Sequence, residues 1–140
     1  MSAGYRIHPR ANVVLFEGKG PMAFAEWSAS LTAAMADAAY RPGMRMLSDR
    51  RSLEGGYETT TIEQIVLFFR SHARRLGPTR WAVLTRAHDA DYGMVRMAEM
   101  LAESTLVQVQ AFTDLDKALE WILQVIDDEE FAELRAWVDG

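Results

Sequence analysis

Cationic side chains follow the predicted strands of this sequence. They are Lys19, Arg50, Arg51 and Arg86, and His88 stands close to the last of them. Guanidinium groups bind phosphates and carboxylates through paired hydrogen bonds, and the amides at a helix N-terminus attract anions. We therefore predict a small anionic ligand held by these five residues. The alternative is that the cations are solvated loop charges that pair with neighbouring acids, which are Asp49, Asp89 and Asp91.

Hydroxyl groups gather where the second predicted helix begins. Thr59 and Thr60 stand at its start, Glu58 precedes them, and Ser52 lies earlier in the same loop. A phosphate on either threonine would be favoured at a helix N-terminus and would reverse the charge that a partner meets there. We predict phosphorylation or partner contact at these four residues. The alternative is that a threonine oxygen only caps the helix.

Residues able to carry catalysis or to hold a metal do not fall together. Cysteine is absent, and the Gly-x-Ser-x-Gly pattern of many hydrolases is missing. His8, His72 and His88 lack the spacing of metal ligands, and the glycines at 18 and 20 lack the pattern of a phosphate-binding P-loop. We predict a protein that is not an enzyme and that uses no cofactor and no metal.

The elements that must position these residues are strands and helices in alternation. Segments 13–16 and 81–84 are apolar on both faces, as central strands are, whereas 107–111 alternates. Strand patterns also occur at 5–8 and 44–48. Strands separated by helical patterns cross over a shared sheet. The predicted fold class is α/β, with a mixed, mostly parallel five-stranded sheet, an antiparallel N-terminal edge strand and about five helices.

Apolar stripes at helical spacing predict where the helices lie. The first predicted helix carries Phe24, Trp27, Leu31, Met35 and Ala38. The second begins at a capping box at 60–63, buries Ile62, Ile65, Val66, Phe69 and Ala73, and stops at Gly77-Pro78. The third follows Asp89 or Asp91, and the fourth follows Thr113 or Asp114. The last has the acidic run 127–130 at its N-terminal end, where negative charge is favourable.

Two large aromatic residues stand off the packed stripes. Phe68 in the second helix and Trp137 in the last one are predicted to lie outside the core, and such groups usually meet another surface. We therefore predict a homodimer. Methionines at 44, 46, 94, 97 and 100 suggest either an adaptable apolar pocket or ordinary core packing.

Composition narrows the classes of function. The 140 residues predict one domain, 1–140, and the formal charge of −5 disfavours nucleic-acid binding. The apolar runs fall far short of the ~20 residues that a membrane span requires, and the start lacks the apolar core of a signal peptide. We predict a cytoplasmic protein without stable membrane insertion.

The last third of the chain resembles the SpoIIAA-like family of the STAS fold, which takes its name from sulfate transporters and anti-sigma-factor antagonists. The similar motifs are a "GMAR…FE" helix, a strand, and a helix with Ala and Trp, here Tyr92-Gly93-Met94-Val95-Arg96-Met97-Ala98-Glu99, Val107-Gln108-Val109-Gln110-Ala111-Phe112-Thr113-Asp114 and Ala118-Leu119-Glu120-Trp121-Ile122. Upstream, Met46-Leu47-Ser48-Asp49 resembles the family's third strand. The likeness covers residues 5–123 and leaves 124–140 as a helical extension.

The resemblance implies a small non-enzymatic domain that binds a protein partner or a ligand, often as a dimer. In anti-sigma-factor antagonists a kinase phosphorylates a serine at the start of the second helix. Glu58-Thr59-Thr60-Thr61 occupies that place here, with threonine instead of serine and no glycine after it. The expected function is a STAS-like binding or regulatory module. The alternative is a carrier or sensor of a small anionic or lipid-like molecule.

Overall fold

The computed structural model describes residues 3–20, 23–52, 59–86, 98–101, 106–124 and 127–140. Within them, one sheet has the strand order β1-β2-β3-β4-β5. β1 pairs antiparallel with β2, and the other neighbouring strands are parallel. The predicted α/β class and its antiparallel N-terminal edge are confirmed. The strands are β1 (Ala3–His8), β2 (Val13–Gly18), β3 (Arg45–Asp49), β4 (Thr79–Leu84) and β5 (Val107–Phe112).

Helices separate the parallel strands, as the stripes predict, except that the predicted stripe residue Ala38 lies beyond the end of the first helix and is exposed. They are α1 (Phe24–Ala36), α2 (Thr59–Ser71), α3 (Ala73–Leu76), α4 (98–101), α5 (Leu115–Leu123) and α6 (Asp128–Asp139). The carboxylate of Asp114 caps α5 by accepting from the N–H of Asp116 at 3.1 Å. Asp127 caps α6 in the same way, at 2.9 Å from the N–H of Glu129. The predicted caps Asp89 and Asp91 lie outside the described residues.

Each face of the sheet carries its own apolar core, because successive side chains of a strand point to opposite faces. On one face, Val14, Met46 and Trp81 pack with α1, α2 and α4. On the other, Leu15 and Leu84 pack with α5 and α6. Segments 13–16 and 81–84 are buried on both faces, as predicted for central strands.

The end of the second predicted helix differs from expectation. The helix is interrupted at His72, so Ala73 opens the separate one-turn helix α3 and is exposed, and the prediction that Ala73 is buried is wrong. Helical structure then ends at Leu76, so the predicted stop at Gly77 is confirmed. Gly77 has φ of +66°, and a Cβ there would lie 2.9 Å from the backbone nitrogen of Gly43, so two constraints favour glycine at this position.

Phe68 and Trp137 are both partly buried and pack against the two cores. Phe68 stacks on His72 at a centroid distance of 4.1 Å and meets Trp27 edge-on at 5.5 Å. Trp137 meets His8 edge-on at 5.1 Å. The prediction that these two rings lie outside the core is wrong, because other elements supply ring partners that spacing within one helix does not reveal. The homodimer stays a prediction and needs a different surface.

Candidate binding surface at the carboxyl ends of the strands

The carboxyl ends of β2 to β5 align in one row, which we call the carboxyl edge (residues 17–20, 49–52, 84–86 and 112–114). Glu17 stands beside Asp49, Asp49 beside Leu84, and Leu84 beside Phe112. Ligands of open parallel sheets bind outside this kind of edge. The alignment therefore brings together the loops that carry most of the predicted site residues.

Backbone hydrogen bonds fix the loops beyond the strand ends. The N–H of Gly20 donates to the carbonyl of Ser52 at 3.0 Å, which joins the loop after β2 to the loop after β3. The N–H of Arg50 donates to Leu84, and the N–H of Thr85 donates to Phe112, both at 2.8 Å. The described start of each loop is therefore held to its neighbour, which gives the carboxyl edge a defined backbone shape over these residues.

The predicted cations lie along this edge in strand order. Lys19 is exposed and follows β2, Arg50 is half-buried and follows β3, and Arg86 is exposed and follows β4. Neighbouring strands lie about 4.8 Å apart, so the three positions span roughly 10 Å at the backbone. His88 lies outside the described residues.

Arg51 is engaged by acids of the chain. Its Nε and one terminal nitrogen donate to the two carboxylate oxygens of Asp49 at 3.0 and 2.8 Å, and the same terminal nitrogen reaches Asp139 at 3.3 Å. The pKa of Arg51 is raised, chiefly by the hydrogen bond to Asp49, so its charge is secure. Of the two alternatives for Arg51, the geometry favours pairing with an acid over binding a ligand.

Arg6 also reaches this edge, although it was not among the predicted site residues. Its Nε donates to Glu17 at 2.9 Å, and its terminal nitrogens donate to the carbonyls of Trp137 and Val138 at 2.8 and 3.3 Å. The guanidinium lies 4.9 Å from the centre of the Trp137 ring. Arg6 and Arg51 therefore fix the end of α6 against the carboxyl edge. A cation inside a strand was the available signal, but its partners at the end of α6 lie more than 130 positions away.

The predicted phosphorylation residues lie where the chain enters α2. Ser52 is exposed, Thr59 is the first helical residue of α2, and Thr60 is exposed in the first turn. Thr60 is therefore inside the helix and not at the cap position before it. Glu58 lies outside the described residues, as does the rest of 53–58.

The remaining candidates lie elsewhere in the fold. The Nδ1 atom of His8 accepts from the N–H of Ala11 at 3.1 Å, and Nδ1 of His72 lies 2.8 Å from the carbonyl of Phe68. Met44 and Met46 are fully buried in the core and Met100 packs against it, which favours ordinary packing for these three. Met94 and Met97 lie outside the described residues. The described residues include no group of three side chains placed to hold a metal.

Comparison with known proteins identifies the fold of this chain. No family model matches the chain, and no curated protein matches it significantly. No described helix has the length and apolar character that crossing a bilayer requires. A crystal structure of an uncharacterised DUF3478-family protein with a SpoIIAA-like fold, from Shewanella loihica, matches with a TM-score of 0.56 and 16% identity, over 86% of this chain and 92% of that one. The chain therefore has a SpoIIAA-like fold.

Proposed function

We propose that this protein is a non-enzymatic binding module that contacts a protein partner through the carboxyl edge. The observation that carries the proposal is the hydrogen bond between Gly20 and Ser52, which joins two loops into one surface. α2 follows β3 and begins at the same end of the sheet, because a crossover helix starts where its strand stops. Exposed Lys19, Ser52 and Thr60 thus belong to neighbouring parts of one surface.

The charges of this surface support recognition of a polar partner. Glu17 pairs with Arg6, and Asp49 and Asp139 pair with Arg51, so these acids are engaged inside the chain. Lys19 stands exposed beside them. A fixed backbone with a small number of exposed polar groups suits specific contact, because little conformational freedom is lost when the partner binds.

Phosphorylation of Thr59 or Thr60 is part of the proposal. A phosphate in the first turn of α2 would meet the positive end of the helix dipole, so the modified state would be stable. It would also place about two negative charges on a surface that carries Lys19 and Arg50. A partner that recognises the unmodified surface would then be released.

The test is capture of a partner by the wild-type protein and by charge variants. Thr60→Glu and Lys19→Glu are expected to abolish capture of a partner that the wild type retains. Thr32→Glu is the matched control, because Thr32 is also an exposed helical threonine but lies on α1. Equal capture by the wild type and both edge variants would contradict the proposal, as would equal loss in the Thr32 control. Mass spectrometry of protein from its native cells tests for phosphate on Ser52, Thr59 and Thr60.

A second candidate function is binding of a small anionic or lipid-like molecule. The row of Lys19, Arg50 and Arg86 after three adjacent strands favours it, because long cationic side chains from neighbouring loops can reach one phosphate or carboxylate group. Thermal-shift screening with anionic metabolites and fatty acids tests it. At 100 times Kd a ligand stabilises the fold by about 2.7 kcal/mol.

Arginine variants decide whether such a shift arises at the carboxyl edge. Arg50→Ala and Arg86→Ala should reduce the shift, whereas Arg70→Ala and Arg74→Ala should keep it, because these exposed arginines belong to α2 and α3. An undiminished shift in both edge variants would remove the second candidate. A partner captured without any ligand response would favour the first.

A further inference from the structure

Six arginines lie at the amino ends of β3 and β4, at the end of the sheet opposite the carboxyl edge. They come from two stretches of sequence, 38–45 and 70–80, and neither stretch contains an acidic residue. Among the residues that the structure describes, none of the six forms an ion pair with an acid. We call this surface the basic edge, and its arginines are Arg41, Arg45, Arg70, Arg74, Arg75 and Arg80.

Hydrogen bonds between the two stretches make the basic edge one surface. The N–H of Gly43 donates to the carbonyl of Leu76 at 2.6 Å, and the hydroxyl of Tyr40 donates to the carbonyl of Arg75 at 2.8 Å. β3 and β4 are also neighbouring parallel strands, about 4.8 Å apart, so the segments that lead into them lie side by side. The fold therefore brings together arginines that are dispersed in the sequence.

Backbone carbonyls position some of these guanidinium groups. Arg45 donates to the carbonyl of Ala11 at 3.1 Å, and Arg75 donates to the carbonyl of Met35 in the last turn of α1. A carbonyl carries no net charge, so the positive charge of each arginine is not cancelled. A guanidinium has five N–H donors, and each of these contacts uses one of them. The side chains are therefore held in place while they retain donors for an anion.

We propose that the basic edge is a docking surface for a short acidic segment of a protein partner. Guanidinium groups bind carboxylates through paired hydrogen bonds, so a series of aspartate or glutamate side chains matches this surface. The chain as a whole carries a formal charge of −5, so the attraction for an acid is confined to this region. The arginines available for contact are the exposed ones, Arg41, Arg70, Arg74 and Arg75.

The acidic start of α6 favours a short segment over a long polyanion. α6 begins at the same end of the sheet, because α5 runs back from the carboxyl edge, and its Glu133 pairs with Arg10 in the turn before β2 at 2.9 Å. Asp128, Glu129 and Glu130 are exposed in its first turn. A nucleic acid or an anionic membrane extends over a larger area and would be repelled by these carboxylates. A segment of about five residues, roughly 16 Å long when extended, can contact the basic edge without meeting them.

Fluorescence anisotropy with a labelled hexaglutamate peptide tests the proposal, and labelled hexaglutamine is the neutral probe. We expect the wild type to bind hexaglutamate with a Kd below about 1 mM at low salt and to show no binding of hexaglutamine. Arg41→Gln with Arg74→Gln should raise the Kd at least about fivefold, because two exposed ion pairs are lost. Both side chains are exposed, so the fold should be retained, and circular dichroism checks this.

A control with the same loss of charge separates local contact from net charge. Lys117→Gln with Arg135→Gln also removes two positive charges, but from α5 and α6, and should bind hexaglutamate as the wild type does. No binding by the wild type would overturn the proposal, as would equal weakening in both pairs of substitutions. Tighter binding of single-stranded DNA or of phosphatidylglycerol vesicles at equal salt would also contradict it, because the surface would then serve another class of partner.

The result is separable from partner contact at the carboxyl edge. Weakening by Lys19→Glu but not by the arginine pair would place the peptide at the carboxyl edge and would refute the basic edge as its site. The carboxyl edge is unchanged in the variant with Arg41→Gln and Arg74→Gln, so capture of a partner there is an independent measurement.

Discussion

The pairing of Arg51 with Asp49 makes a quantitative prediction about the carboxyl edge. The perturbation is a double-mutant cycle with Arg51→Gln and Asp49→Asn. Asparagine keeps the side-chain oxygen that accepts from the N–H of Arg51 at 3.1 Å, so the turn is retained while the charge is lost. A second cycle uses Arg51→Gln with Asp139→Asn.

The geometry sets the expected magnitudes. The contact with Asp49 is bidentate and that carboxylate is only 15% exposed, but the Arg51 side chain is 38% exposed. Charge-assisted hydrogen bonds are worth more than exposed ion pairs, and solvent reduces the gain, so we expect a coupling of about 1–1.5 kcal/mol. The contact with Asp139 is a single one at 3.3 Å to a mostly exposed group, so about 0.3 kcal/mol is expected.

Urea unfolding at low and high salt measures both couplings. The Asp49 coupling should exceed the Asp139 coupling, and the Asp139 coupling should weaken more as salt rises, because its groups are more exposed. A coupling to Asp49 below about 0.3 kcal/mol would refute the reasoning from bidentate geometry. If an anion stabilises the wild type, Arg51→Gln should keep that shift. Loss of the shift would show that Arg51 takes part in binding the anion.

Three further predictions concern the fold. Phe69→Ala should lower the free energy of unfolding by about 3–5 kcal/mol in urea, because the ring is 2% exposed, whereas exposed Leu67→Ala should change it by under about 0.5 kcal/mol. Hydrogen bonds from the N–H of Ala39 and the hydroxyl of Tyr5 lower the pKa of Asp37 in the folded protein. The stabilisation from this carboxylate is complete above the pKa of Asp37 in the unfolded chain and is lost as pH falls through its pKa in the folded protein. The difference in Tm between the wild type and Asp37→Asn should therefore close below about pH 4. Asp127→Ala should cost about 1 kcal/mol in urea unfolding through the lost cap of α6.

Much of the sheet could be predicted because its information is local. The apolar run at 13–16 and the alternation at 107–111 each specify a strand within a few residues, and Asp114 marks the start of α5 through its own side chain. Parallel order then follows from the helices between strands. The alignment of the strand ends at one edge of the sheet could be predicted for the same reason.

Contacts between distant segments could not be predicted in this way. Arg6 meets the end of α6 across 131 positions, and Phe68 is covered by Trp27 from another helix. Arg51 illustrates a different difficulty. Its sequence neighbours allow both pairing with Asp49 and ligand binding, and only the side-chain geometry separates the two. Most of the described candidate residues therefore lie at one edge of the sheet, and their role in binding stays a prediction.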